Sequence, residues 1–226
     1  MTLKEIYHRA RTSRVWTLVV PMLVGIAYSW WRYQRLLFWP SLLMVVTVAV
    51  VKLAYDWWFD QYPSHSIWIL RLKRVIDVIL PYFLIILMLF LNTKFKPTAG
   101  LLTVWFGVAF PLIAFSLSIS VAKDVRKIRA EEISAKEFQH AQSRACWVRP
   151  IFLLLPVLAY AEILLLTLSG YLPLLAWAMI VLFPLVFAQA LAVGLESDLD
   201  KSADLPARNL FLTGLALVLV LVIAGA

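Results

Sequence analysis

Two short stretches of this 226-residue chain set carboxylates at helical spacing beside long apolar runs. The first is Lys52-Leu53-Ala54-Tyr55-Asp56-Trp57-Trp58-Phe59-Asp60. The second is Lys123-Asp124-Val125-Arg126-Lys127-Ile128-Arg129-Ala130-Glu131-Glu132. Residues four apart share a helix face, so Lys52, Asp56 and Asp60 form one stripe. Asp124, Lys127 and Glu131, spaced three then four, form another that Ala135 continues. Carboxylates this close to lipid are costly unless they pair, bind metal or border water. Two such stripes facing a common cavity would suit divalent cations. Mg2+ takes one or two carboxylates plus phosphate oxygens of a substrate, and there it neutralises charge developing on the leaving group. The same spacing fits a plainer arrangement, with Lys52–Asp56 an intrahelical ion pair and 123–137 a solvated helix of mixed charge. Spacing alone leaves both open.

The elements that must position these residues are apolar helices. The chain is 63% hydrophobic and 15% charged, with a mean hydropathy of +0.86, which excludes a soluble domain. Runs long enough to cross a bilayer fall at about 15–33, 37–59, 75–93, 99–121, 147–168, 171–194 and 208–226. In lipid each must satisfy its own backbone, so they are helices, and the strands of a barrel would be shorter and would alternate in polarity. The expectation is an all-α polytopic bundle of about seven transmembrane helices. It forms a single membrane domain over 1–226, with polar connections at 56–74 and 122–149.

Charge gives this bundle an orientation. The net charge of +8 does not gather into a patch for nucleic acid. Sixteen Lys and Arg fall in every second connection, including Lys4, Arg9, Arg71, Lys73, Arg74, Arg126 and Lys136, against four (Arg32, Arg35, Lys94, Lys96) in the others. The positive-inside rule then places the amino terminus in the cytosol and, after seven crossings, the carboxyl terminus outside. Basic residues on that face also attract anionic membrane lipids.

Other residues carry weaker signals. Cys146 is the only cysteine, which excludes an internal disulfide or a cysteine zinc site. The first apolar run leads into Trp30-Trp31-Arg32 rather than a small-residue cleavage site, so the first helix is expected to stay. Pro21, Gly25, Pro81, Pro111, Pro156 and Pro184 are expected to kink or loosen their helices. Trp30, Trp31, Trp57, Trp58 and Trp147 sit where an interfacial aromatic belt belongs. Asp77 and Glu162 are intramembrane acids. Asp77 has Lys73 and Arg74 within reach along a helix, whereas Glu162 has no partner nearby in sequence and calls for a buried contact. His65 and His140 read as solvated residues.

With these residues in view, the chain resembles a divergent, shortened member of the UbiA superfamily of intramembrane prenyltransferases, nearest the dihydroxynaphthoate branch of menaquinone synthesis. Leu3 to Thr12, followed by Val20-Pro21-Met22-Leu23-Val24-Gly25, is similar to the family's basic start and Pro-x-x-x-Gly first helix. Lys52 to Asp60 resembles the first motif, Asn-x-x-Asn-Asp-x-x-Asp, with Lys52 and Tyr55 at the asparagines and Phe59 at the last aspartate, beside Asp60. Asp124 to Lys136 resembles the second, with Lys127 at an aspartate, Glu131 at the last acidic place and Ala135 before the retained Lys136. Leu205 to Ala226 is similar to the final helix. Only two spans lie between the motifs where the family has four, so one helical hairpin of the usual nine-helix fold is missing.

The resemblance implies an enzyme acting on an isoprenoid diphosphate, by prenyl transfer to an aromatic acceptor in quinone biosynthesis. Asp56, Asp60, Asp124 and Glu131 would act as catalytic metal ligands for Mg2+. Lys52, Arg71, Lys73, Arg126, Lys127 and Lys136 would contact the diphosphate. The expected location is a prokaryotic inner membrane. Lys52 and Lys127 add three positive charges to such a site, so either it takes diphosphate with fewer metals or the lysines close it into salt bridges. Two other functions compete. One is a non-catalytic descendant that binds lipid or quinone, or serves as a structural subunit beside a membrane-protein partner. The other is an intramembrane terpene cyclase. A secondary transporter is a distant reading, because no internal repeat is visible.

Overall fold

The computed structural model describes residues 15–61, 67–94, 153–195 and 205–226. They form α1 (Trp16–Tyr33), α2 (Phe38–Gln61) and α3 (Ile67–Asn92). After these come α4 (Leu153–Leu168), a 3-10 segment (Leu174–Leu182), α5 (Phe183–Leu195) and α6 (Leu205–Gly225). No strand occurs among the described residues. The all-helical expectation therefore stands for them.

Helix α1 is the centre of the bundle, packed by α3 on one side and by α6 on the other. Its inward residues, among them Leu18, Met22, Val24, Ala27 and Tyr28, are almost fully buried. Gly25 lets α3 come close, since a Cβ there would lie 2.8 Å from the Ile85 carbonyl oxygen and 3.0 Å from Met88 Cβ. At the other contact α6 runs parallel to α1. Phe211 meets Trp16 edge to face at 6.0 Å, and fourteen residues later Gly225 lies against Trp30 and Trp31. The two ends of the molecule can thus be called the Trp16 end and the Tyr33 end.

The remaining helices take their direction from similar pairs. Leu37, just before α2, donates its N–H to Asn92 Oδ1 at 2.7 Å, and Asn92 Nδ2 donates to Ser41 Oγ at 3.1 Å. The last residue of α3 thereby satisfies the start of α2, where backbone donors lack helical partners. So α2 descends from the Tyr33 end, and α3 climbs back beside it. The Tyr28 hydroxyl donates to the Tyr171 carbonyl at 3.3 Å, and Tyr160 and Thr213 share a hydroxyl contact of 3.3 Å. Helix α4 therefore starts at the Trp16 end and climbs parallel to α1. It closes on Gly170, whose φ of +74° suits the left-handed position; Tyr171 N–H then reaches back to the Leu166 carbonyl at 2.9 Å.

Three stretches are long and apolar enough to cross a membrane: Phe38–Trp58, Leu174–Leu191 and Arg208–Gly225. They expose large apolar side chains that water would not tolerate, such as Trp39 at 76% and Val181 at 79%. This marks a membrane protein. The count of seven spans is not established. Ile79–Asn92 and Leu153–Leu168 are apolar but shorter. Helix α1 closes on the polar and aromatic run Tyr28-Ser29-Trp30-Trp31-Arg32-Tyr33, and the expected span at 99–121 lies outside the described residues.

One expectation for an individual element needs correction. The span expected as an α-helix over 171–194 opens with nine residues of 3-10 helix. Pro184 explains where it changes: with no N–H, it leaves the Ile180 carbonyl to accept from Phe183 three residues on. Helix α3 begins at Ile67 and so extends eight residues before the span expected at 75–93, because the charges of Arg71, Lys73 and Arg74 argue against lipid but not against a helix. Pro21 and Pro81 lie inside helices α1 and α3, which run on through them.

Candidate functional site

The first acidic stretch forms the last turns of α2, which reaches the Trp16 end with Lys52, Asp56 and Asp60 one turn apart along it. Lys52 is buried (8% exposed) although α2 is for most of its length an exposed apolar helix. Its Nζ donates to Asp56 Oδ1 at 2.9 Å, and the two side chains are only 9% and 13% accessible. The same ammonium lies 5.4 Å from the centroid of the Tyr55 ring. A carboxylate and an aromatic face together stabilise a cation that burial would otherwise penalise. Lys52 and Tyr55, the two departures from the asparagines of the resembled motif, are therefore in contact with one another. Lys52, Tyr55 and Asp56 are each engaged further as well.

This arrangement bears directly on metal binding. A divalent cation on Asp56 would meet an ammonium already bonded to that carboxylate, and like charges repel strongly where screening is poor. The pair as it stands does not fit Mg2+. No group of three His, Cys, Asp or Glu that could hold a metal occurs among the described residues.

The other expected site residues fall in two sets. Arg71 and Lys73 lie in the first turns of α3, which brings them to the same end of the bundle as Lys52 and Asp56. Asp60 lies in α2, one turn beyond Asp56. Asp124, Arg126, Lys127, Glu131 and Lys136 lie outside the described residues, as do His65 and His140. Trp57 and Trp58 are half exposed beside the ion pair, where a belt residue belongs. Glu162 is half-buried at mid-length of α4, not enclosed in the core.

A second polar group was missed in the sequence. Asn209 of α6 is 3% exposed, and its Nδ2 donates to the Val186 carbonyl of α5 at 3.3 Å. Thr213, one turn on, meets the Tyr160 hydroxyl of α4. The side-chain carbonyl oxygens of Asn209 and Gln189 are buried with no hydrogen-bond partner among the described residues. Together these residues tie α4, α5 and α6 at the Trp16 half of the bundle. The signal that could have found them is their polarity within apolar spans, since such residues in lipid are seldom neutral choices. Comparison with protein-family models, with curated proteins and with solved structures finds no match for this chain.

Proposed function

We propose that this chain is a UbiA-type integral membrane protein that binds an isoprenoid diphosphate at the Trp16 end and transfers its prenyl group to an aromatic acceptor. The observation that carries this reading is the buried Lys52 ammonium, set between Asp56 and Tyr55 at the end of the bundle where Arg71 and Lys73 also lie. Buried cations in lipid-facing helices mark functional positions, and three basic residues at one end suit a diphosphate. In the reaction the carbon–oxygen bond of an allylic diphosphate breaks, the diphosphate leaves with the electron pair, and an aromatic carbon captures the cation and then loses its proton. Lys52, Arg71 and Lys73 would hold the leaving diphosphate, with Arg126, Lys127 and Lys136 of the second motif.

The topology of the described helices supports the seven-span reading. Helix α3 ends at the Tyr33 end and α4 begins at the Trp16 end, so one further crossing between them, the span expected at 99–121, completes seven. The basic ends Arg71, Lys73 and Arg208 share the Trp16 end, which we assign to the cytosolic face of a prokaryotic inner membrane.

The test is turnover and binding. Purified protein in lipid nanodiscs is incubated with labelled prenyl diphosphates and an aromatic acceptor, with and without Mg2+, and binding is followed by calorimetry. The expected result is diphosphate binding that Lys52→Ala weakens roughly tenfold, the size of one charge-assisted contact. Neither turnover nor diphosphate binding in any condition would remove this reading. The Lys52–Asp56 bond itself favours a second one, a non-catalytic descendant whose motif is closed by salt bridges. That reading expects an isoprenoid lipid or quinone to bind without turnover, and Asp56→Ala to leave such binding intact.

A further inference from the structure

We propose that the outer edge of α4 is a docking site for a single transmembrane helix of another protein, one that carries a basic residue at mid-membrane opposite Glu162. Glu162 lies nine residues after Leu153 and six before Leu168, roughly 13 Å along the helix from Leu153. It is half-buried at the flank of the core-facing residues Ala159, Ile163 and Leu166. It makes no hydrogen bond or ion pair with any described residue. Acyl chains cannot solvate a carboxylate, and an acid at mid-membrane is costly when it lacks a partner.

A continuous seam runs beside it. Leu154, Leu158, Ala161, Leu165 and Leu168 are all exposed and are spaced four, three, four and three residues apart. That is the spacing by which two helices mesh along their length. Ala161, at the middle of the seam and next to Glu162, is small enough to let a neighbouring backbone approach closely. Acid and seam together specify both the geometry and the charge of the occupant.

Charge complementarity selects another protein over a second copy. Among the described residues, Lys52 is the basic side chain within an apolar span, and it is already bonded to Asp56. Arg32, Arg35 and Lys94 lie at the Tyr33 end and Arg208 at the Trp16 end, each far from the depth of Glu162. Two copies would therefore set acid against acid. A Lys or Arg on a partner helix removes the cost of the lone carboxylate and gives the seam its register.

The experiment uses the whole chain in lipid vesicles with fluorescent poly-leucine transmembrane peptides, one with a single central lysine and one without, read by energy transfer. The lysine peptide is expected to bind roughly tenfold more tightly than the leucine peptide. Glu162→Leu abolishes that preference, and Glu162→Lys transfers it to a peptide with a central glutamate. Glu162→Gln, which keeps the side-chain shape, controls for folding through an unchanged thermal transition. Equal binding of the lysine and leucine peptides to the wild-type chain would overturn the proposal. Glu162-dependent association of the chain with itself, without preference for the lysine peptide, would overturn it in favour of a second copy. The failure of prenyl diphosphate to bind leaves every arm of this test intact.

Discussion

Lys52 is costly to place and costly to remove. Asp56 on one side and the Tyr55 ring on the other both compensate its ammonium. Lys52→Met removes the bonded cation from a largely buried carboxylate and is expected to destabilise the protein by roughly 3–5 kcal/mol, as breaking buried pairs does. Lys52→Met combined with Asp56→Leu is expected to recover most of that loss, since an apolar pair fits the same space without desolvating charge. Thermal unfolding of single and double variants in detergent micelles measures both. An additive double variant would mean the pair does not act as a unit. Of this site, the ion pair was legible in the sequence because four residues separate its members on one helix. The Tyr55 contact was not, because only rotamers decide whether a ring turns beneath an ammonium three residues away. Asn92 and Asn209 were less legible still. Their partners, Leu37, Ser41 and Val186, are on other helices, and nothing in local spacing joins them.

Helices α1 and α3 owe their closeness to the absence of one carbon atom. The Cβ position of Gly25 falls 2.8 Å from a backbone oxygen, which cannot turn aside as a side chain would. Gly25→Ala is expected to push α3 away and cost about 1–3 kcal/mol, the usual range for overpacking a well-packed core. Gly25→Val is expected to cost more. Thermal unfolding measures both, and a neutral Gly25→Val would show that the two helices separate freely. Sequence patterning found the helices of this bundle because apolar runs in lipid have few alternatives. It placed their ends less well, because a boundary depends on chemistry the apolar pattern does not contain. Ile67–Arg74 is helical yet charged, so the span and the helix have different limits. The 3-10 segment is as apolar as any α-helix here, and only Pro173 before it and Pro184 after it hint at a different backbone.

At the scale of the whole molecule, α1, α3, α4 and α6 run in one direction and α2 and α5 in the other. The described amino-terminal residue Val15 and the carboxyl-terminal Ala226 consequently lie at opposite ends of the bundle. Reporter fusions at Ala226 are expected to be active outside the cytosol, and cysteines placed at Arg71 and Arg35 to label from opposite sides of sealed membranes. Labelling of both from one side would refute the assigned orientation. The 3-10 segment acts on the bilayer as well as on the fold. Nine residues rising about 2.0 Å each extend roughly 18 Å, where an α-helix would give roughly 13.5 Å. Continued by the thirteen residues of α5, the run Leu174–Leu195 therefore reaches about 37 Å, against about 33 Å for the same residues wound as α-helix throughout. Both exceed the roughly 30 Å hydrocarbon thickness of a typical membrane, and excess length is taken up by tilt. The tighter winding of nine residues is thus felt as extra tilt of this element in the bilayer.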